Sequence, residues 1–474
     1  MAVHTKSYQA GDVVFRSEPW VYCILASKSH FHCYHCFSPG ALHKPADIIL
    51  KKCSGCYFAH YCSIKCQHLL STRMQKTDWT KRHRPECKML YQVGLDADSE
   101  VAQHLDRLLI LAKILPKLQR GEVEQKLPEE CTPSSTRSFY DLMSHEQNYL
   151  KQRPDLREAY RILKPYLNLI NPDSNQLCGD YISFISILGR FNINSFFIYT
   201  LQSGVVAATG RGLYLGPSVL DHSCIPNAMQ TEIGIQLVIK AVTDIDCFEN
   251  VRIAYTSPFE IPENRTAYLE KHYFFICACA ACVNDNELAK RDSVACSGSP
   301  ECSQVIPGDL NLTSFRCPNC GVDNVQQLTK AAGIVLDLKK CIKDCENNCN
   351  TAQRLSRCRK LEEQVHVAQD VLHNTNFTLG VACKVLSEML QSIGAPTDVC
   401  IPYLLKCLPS RRLYAKDYSL SKYVAIFEWM LRRNSLHEAK AFAEDIEREL
   451  RTIPGKESPV YYFWQSHTST INNY

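Results

Sequence analysis

The chain has 474 residues, more than one hydrophobic core usually organises, so two or three domains are expected. An apolar content of 45% with 22% charged residues excludes wholesale disorder. No stretch approaches the roughly eighteen consecutive apolar residues of a membrane-spanning helix, and a net charge of +4 does not by itself imply nucleic-acid binding. Within residues 1–92, thirteen Lys/Arg face five Asp/Glu, a local +8 that leaves −4 for the remainder. Two zinc ions held on thiolates there would lower this patch to about +5, compatible with peptides or with weak nucleic-acid contact. The opening MAVHTKSYQAGDVVF has no charged region followed by an apolar one, so secretion is not expected. The 26 cysteines are then expected in a reducing compartment, where close pairs mark zinc more often than disulfides.

In chain order, GDVVF and WVYCILAS read as short strands joined by a charged turn, Arg16-Ser17-Glu18-Pro19. Residues 33–87 are cysteine-rich with little apolar periodicity, as where metal replaces a core. From Ser99 a helix is predicted with Leu105, Leu108, Leu109, Ala112 and Leu115 on one face and Gly121 just beyond its stop. Residues 119–137 read as a loop. A second helical stretch runs from Phe139 to about Ile170, interrupted near Pro154 and ended by Asn171-Pro172. Residues 176–258 hold short β-rich runs (GVVAAT, IQLVIKAV, NVRIAY) that suggest small twisted sheets; neither a strand–GxGxxG–helix unit nor a GxxxxGK[ST] loop is present. Residues 326–450 read as helical almost throughout, with 353–373/378–393 and 418–432/435–450 resembling stacked helical hairpins.

Cys33-x2-Cys36, Cys53-x2-Cys56, Cys62-x3-Cys66 and His83-x3-Cys87 give eight soft or borderline ligands in four close pairs, matching two tetrahedral zinc ions. A short loop can turn both side chains of a pair to one point. Interleaved pairing would staple the segment twice, with Cys33, Cys36, Cys62 and Cys66 on one ion and Cys53, Cys56, His83 and Cys87 on the other. Cys277, Cys279 and Cys282 form a second set that lacks a fourth ligand; Cys224 is the best upstream candidate among several unassigned cysteines. Cys296-x5-Cys302 with Cys317-x2-Cys320 has ribbon-like spacing and the ending Cys-Pro-Asn-Cys-Gly, which fits a further structural zinc. Cys341, Cys345 and Cys349 recur every four residues and read as a small-residue stripe on a packed helix.

Together these residues resemble the SMYD family, SET-domain lysine methyltransferases with an inserted MYND zinc finger. The eight-ligand pattern, with Tyr61-Cys62-Ser63 and Trp79-x3-His83-x3-Cys87, resembles MYND. GRGLYLGPSVLDHSCIPNA at 210–228, FENVRIAYTSP at 248–258 and HYFFICACAAC at 272–282 resemble the family's GxGLYPxxxLxNHSCxPN, GEEVxxxYxxP and post-SET YFFxCxCxxC segments. The resemblance implies an α+β multidomain fold of small twisted SET-type sheets with the inserted finger, a zinc-bearing post-SET segment and an all-α TPR-like C-terminal region. The implied divisions are N-terminal SET strands at 1–30, the MYND finger at 33–87, a helical insertion at 90–175, the SET core at 176–258, the post-SET segment at 259–322 and the helical domain at 323–474.

The resemblance also implies that Cys224, Cys277, Cys279 and Cys282 share the third zinc. It assigns His145, Asn194, Asp221, His222, Tyr273 and Phe275 to S-adenosylmethionine, Tyr255 to catalysis, and Phe196, Tyr255 and Tyr273 to the lysine channel. Two features depart from the family pattern: no GxG turn precedes the GDVVF strand, and Asp221 stands where the family's NHSC asparagine does. Asp keeps an acceptor, loses an amide donor and adds a negative charge. The implied function is S-adenosylmethionine-dependent methylation of lysine on histone or non-histone proteins. The alternative is a catalytically weak or inactive zinc-binding adaptor that recruits proline-rich partners through the finger and the helical domain. Three zinc ions are expected, four if the ribbon binds; no membrane, a monomer, and a cytoplasmic and nuclear location complete the expectation.

Overall fold

The computed structural model describes residues 6–40, 49–68, 83–95, 100–127, 136–170, 177–202, 205–298, 301–308, 315–346, 350–415 and 420–469. Trp79, Ser99, Asn171, Pro172 and Cys349 lie outside them. The chain divides into two compact units, one of residues 1–221 and 230–251, the other of 222–229 and 252–474.

In the first unit, the elements that matter here are β1 (Val13–Ser17), β2 (Val21–Ile24), α1 (Arg84–Leu95), α2 (Leu105–Gln119), α3 (Tyr181–Asn194), β3 (Ser195–Gln202), β4 (Val205–Leu213), β5 (Ala228–Ile233, in this unit from residue 230) and β6 (Gln236–Ala241). The two N-terminal strands form as the sequence predicts but do not pair with each other. β1 runs antiparallel to β6, with Ser17 opposite Leu237, in the order β1-β6-β5. β2 runs antiparallel to β4, with Val21 opposite Leu213, in the order β2-β4-β3. Arg16 and Ser17, expected in a turn, belong to β1.

α2 forms where the leucine periodicity predicts it, and Gly121 follows it at φ +69. Its burial is wider than the one predicted face: Ile110, Leu111 and Ile114 are buried as well, so the helix is buried nearly all round. The expected loop at 119–137 instead carries a small hairpin, Glu124–Lys126 against Thr136–Ser138. α3 and β3 were not anticipated in the β-rich reading of 176–258. The YISFISILGRF run satisfies helical and strand patterns alike, and the Asp180 side chain decides it by accepting from the Ser183 N–H at 2.9 Å.

In the second unit, α4 (Pro262–Tyr273) leads into the Cys277–Cys282 segment. A short hairpin, Val294–Ala295 against Val305–Ile306, follows. Then come the helices α5 (Val325–Glu346), α6 (Thr351–Gln369), α7 (Phe377–Ser392), α8 (Thr397–Tyr414), α9 (Leu420–Arg432), α10 (Leu436–Leu450) and α11 (Pro459–Thr468). Asn350 and Asn376 cap α6 and α7, accepting from the N–H groups of Gln353 and Leu379 at 2.9 and 3.0 Å. Leu338, Ile342, Leu361, Val365, Phe377, Val381, Leu386, Cys400 and Cys407 form one continuous core. Cys341 is buried in that core and Cys345 packs against it, the outcome the stripe reading expects. Among the described residues no helix is long and apolar enough to cross a membrane.

Candidate functional site

The sixteen predicted metal-ligating residues gather into four sets, each with its ligand atoms within 4.8 Å of one another: Cys33/Cys36/Cys62/Cys66, Cys53/Cys56/His83/Cys87, Cys224/Cys277/Cys279/Cys282 and Cys296/Cys302/Cys317/Cys320. The interleaved pairing of the first two is the predicted one. Zinc–sulfur bonds of about 2.3 Å place tetrahedral sulfurs about 3.8 Å apart, whereas a disulfide holds them at about 2.05 Å. The observed Sγ separations are 3.6 Å for Cys36–Cys62 and 3.8 Å for Cys53–Cys87, with 3.5 Å from Cys56 Sγ to His83 Nε2. In the Cys224 set they are 3.9 Å to Cys277 and 3.7 Å to Cys282. The donor sets therefore fit zinc in geometry and chemistry. Outside these sets, burial pushes the thiols of Cys23, Cys178 and Cys383 up to about 12, and they pack as neutral side chains.

The first unit contains one functional group that spacing did not single out. Glu86, fully buried, accepts from His83 Nδ1 at 3.0 Å and from Lys113 Nζ at 2.6 Å. Burial alone pushes its carboxyl up, but the Lys113 ammonium and the His83 contact outweigh that and hold it below the usual carboxylate range. A carboxylate on the far nitrogen of a zinc histidine fixes the tautomer and ring orientation, leaving Nε2 for the metal. The available signal was Glu86 itself, three residues after His83 at the start of α1, where one helical turn brings them together.

In the second unit the Cys224 set forms a small core with Leu269 and Ala281, and Tyr255, Tyr273 and Phe275 pack against it. The Tyr255 and Tyr273 rings lie 4.9 Å apart, and His222 lies 5.3 Å from Tyr255 and 6.0 Å from Phe275. Tyr273 ends α4; Phe274 follows in the left-handed region at φ +61, which turns the chain so that Phe275 rejoins the cluster. His222 is committed at both nitrogens. Nδ1 accepts from the Tyr255 N–H at 3.0 Å, so Nε2 carries the proton and faces Cys224 Sγ at 3.2 Å. Burial pushes its pKa down to about 4, which keeps the ring neutral. His222 thus ties the backbone of the predicted catalytic tyrosine to a metal-ligand sulfur.

The remaining predicted residues belong to the first unit. Asn194 donates its amide to the carbonyls of Met143 at 2.9 Å and Arg190 at 2.7 Å. It thereby fixes the Met143–His145 turn, in which His145 adopts φ +46 at the start of a short helix. Gly189 admits that turn: a Cβ there would lie 2.2 Å from the Ser144 carbonyl oxygen. Burial holds the His145 imidazole below its ordinary pKa. Phe196 on β3 packs edge-on against Tyr214 at 5.9 Å, and Asp221 is exposed.

No family model matches the chain. It is similar to the Homo sapiens N-lysine methyltransferase SMYD2, 26% identical over 306 residues that make up 63% of this chain and 61% of that protein. It is 29% identical to the Homo sapiens histone-lysine N-methyltransferase SMYD3 over 276 residues, 57% of this chain and 56% of the relative. To the Homo sapiens histone-lysine N-methyltransferase SMYD1 it is 24% identical over 409 residues, 82% and 70% of the two chains. The match to SMYD2 thus spans about three fifths of that relative's length. With the motifs in family order and the paired cysteine sets assembled, these similarities support membership of the SMYD family.

Proposed function

We propose that the chain is an S-adenosylmethionine-dependent protein-lysine N-methyltransferase acting on histone or non-histone proteins. The observation that carries this reading is the aromatic cluster of Tyr255, Tyr273 and Phe275 held with His222 against the Cys224 set. S-adenosylmethionine, when bound, supplies a sulfonium methyl for in-line displacement by a neutral amine. The chain's own part is alignment and exclusion of water, with little acid–base work. Aromatic walls deprive an ammonium of hydration and so lower the pKa of a lysine placed against them. The Tyr255 hydroxyl orients the amine, while its backbone is held by His222 and its ring by Tyr273. By the same resemblance His145, Asn194 and Asp221 of the first unit serve the cofactor and Phe196 the lysine channel.

The two finger-like sets and the Cys224 set hold structural zinc, because protein fills all four positions of each. The partners are a protein with an exposed lysine and, at the finger, proline-rich peptides. Reduced thiolate sites accord with a cytoplasmic and nuclear location. Calorimetry of the zinc-loaded chain against S-adenosylmethionine tests the reading. Binding is expected, weakened by Phe275→Ala, which removes an aromatic wall. Absence of binding would leave the adaptor reading, for which Asp221 in place of the family's asparagine is the favouring observation.

A further inference from the structure

We propose that Cys296, Cys302, Cys317 and Cys320 hold a fourth zinc ion, which fastens the start of the helical region, and that this ion is the first the protein yields to a chelator. The site is independent of the methyltransferase reading, since nothing in its geometry involves a cofactor or a lysine.

The geometry is that of a closed tetrathiolate. Sγ separations are 3.5 Å for Cys296–Cys320 and 3.7 Å for Cys302–Cys317, close to a tetrahedral edge of about 3.8 Å and far beyond a disulfide. Each pair joins one cysteine from each half of the segment, so neither half completes the site alone. The second half is a tight turn: Gly321, at φ +74, donates to the Cys317 carbonyl at 2.8 Å, and the Cys317 N–H donates to Val322 O at 2.9 Å. Gly298 leaves room for the first half, because a Cβ there would lie 2.7 Å from Cys320 Sγ and 3.5 Å from Cys296 Sγ.

Polar groups around the sulfurs supply what thiolates need. Gly298 N–H donates to Cys296 Sγ at 3.4 Å, Asn324 Nδ2 faces the same sulfur at 3.7 Å, and Asn319 Nδ2 faces Cys302 Sγ at 3.5 Å. Asn324 is fully buried, and its Oδ1 accepts from the N–H and hydroxyl of Ser297 at 2.8 and 3.0 Å. It therefore ties the two halves from beneath, as the outer groups of a metal site do.

The site stands on the helical core. Val294, Ile306 and Cys317 are buried in the same cluster as Leu328 of α5 and Leu372, and Cys296 and Cys302 pack against it. The strand before Cys296 is bonded to the segment between α6 and α7: Ala295 N–H donates to Val371 O at 3.0 Å and Asn376 Nδ2 to Ser293 O at 3.0 Å. A hairpin of two-residue strands cannot hold this arrangement by its own pairing. Four thiolates on one ion can, because ligand binding contributes directly to folding.

Exposure gives the order of loss. Cys320 is the only exposed residue among the sixteen ligands, so this site is the one a chelator reaches first. The test takes the full chain, purified under reducing conditions, through a graded series of ethylenediaminetetraacetate. Zinc content is measured at each step, and iodoacetamide labelling is mapped by peptide mass spectrometry. Before chelator, all four of these thiols should be protected. With the first equivalent of zinc released, Cys296, Cys302, Cys317 and Cys320 should become labelled together while the other twelve ligands stay protected. Cys317→Ser/Cys320→Ser should hold one zinc fewer than the parent chain. Labelling of these thiols before any zinc leaves overturns the proposal, as does their recovery as disulfides. Release of another set first overturns the order. The mapping needs no variant, so a misfolded double variant leaves the test intact.

Discussion

Replacing Lys113 by methionine isolates the group that holds Glu86 ionised beneath the finger. The carboxylate is fully buried, the lysine side chain is 17% exposed, and they meet at 2.6 Å. At an effective dielectric of about 20, a contact of that length corresponds to roughly 6 kcal/mol of gross attraction, most of it offset by desolvation. Removing one partner of such a pair leaves a buried charge uncompensated, at a measured cost of about 3–5 kcal/mol. Methionine keeps the apolar stem beside Tyr34 and removes the ammonium that lies 5.0 Å from that ring. The lone carboxylate must then protonate or draw harder on His83, and both disturb the imidazole that presents Nε2 to the metal. Loss of a group in this outer position typically lowers metal affinity about ten- to hundredfold. Lys113→Met should weaken one zinc by that factor in competition against a chromophoric chelator, and it should lower the melting temperature. Glu86→Gln, which keeps an acceptor for His83 Nδ1 and needs no cation, should weaken it less. If Lys113→Met binds zinc within about twofold of the parent chain, Lys113 does not sustain the carboxylate and the reasoning fails.

Other perturbations test separate parts of the account. Gly189→Ala places a methyl 2.2 Å from the Ser144 carbonyl and should destabilise the fold by about 1–3 kcal/mol in urea unfolding. Asn376→Ala removes both the α7 cap and the bond to Ser293 O, so a loss of about 1–2 kcal/mol is expected in the same assay. Tyr255→Phe should lower turnover far more than cofactor affinity, read by comparing initial rates with calorimetry. His104 accepts from Arg107 at 2.7 Å, and burial together with that cation holds its pKa below the ordinary value. Its neutral form therefore stabilises the fold at neutral pH. That contribution is lost as pH falls below about 6.5, where the unfolded chain takes up the proton first. Unfolding curves at pH 7.5 and 5.5 should show a smaller acid loss for His104→Gln than for the parent chain.

Ligand sets were the most legible feature of the sequence, because pair spacing fixes which side chains can meet at one point. Cys224 shows the limit: it lies over fifty residues from Cys277, so spacing offered it only as one candidate, and the resemblance chose it. The helical pairs of the C-terminal half were legible through their periodicity. α3 was not, because its aromatic and branched residues satisfy both patterns and the deciding Asp180 cap is a single contact. Strand pairing was equally hidden, since β1 and β2 are neighbours in sequence yet each pairs with a strand about 190 residues or more away. The Asn194 side chain, assigned to a cofactor by resemblance, also donates its amide to two carbonyls and so fixes the His145 turn, a role that spacing does not show. Glu86 was harder to read: its position three residues after His83 was the one signal, and its role depends on burial and on Lys113, both products of the fold.

Methyl transfer to lysine can be measured on the chain itself. The zinc-loaded chain is incubated with S-adenosylmethionine bearing a labelled methyl group and a mixture of histone and non-histone proteins, and the acceptor residues are identified by mass spectrometry. The account predicts labelled methyl-lysine and an equal amount of S-adenosylhomocysteine, with both nearly abolished in Tyr255→Phe. It also predicts an initial rate that rises from pH 7 towards pH 9, as more of the acceptor lysine becomes neutral (its ordinary pKa is about 10.4). A chain that binds the cofactor yet labels no lysine across that range would contradict it.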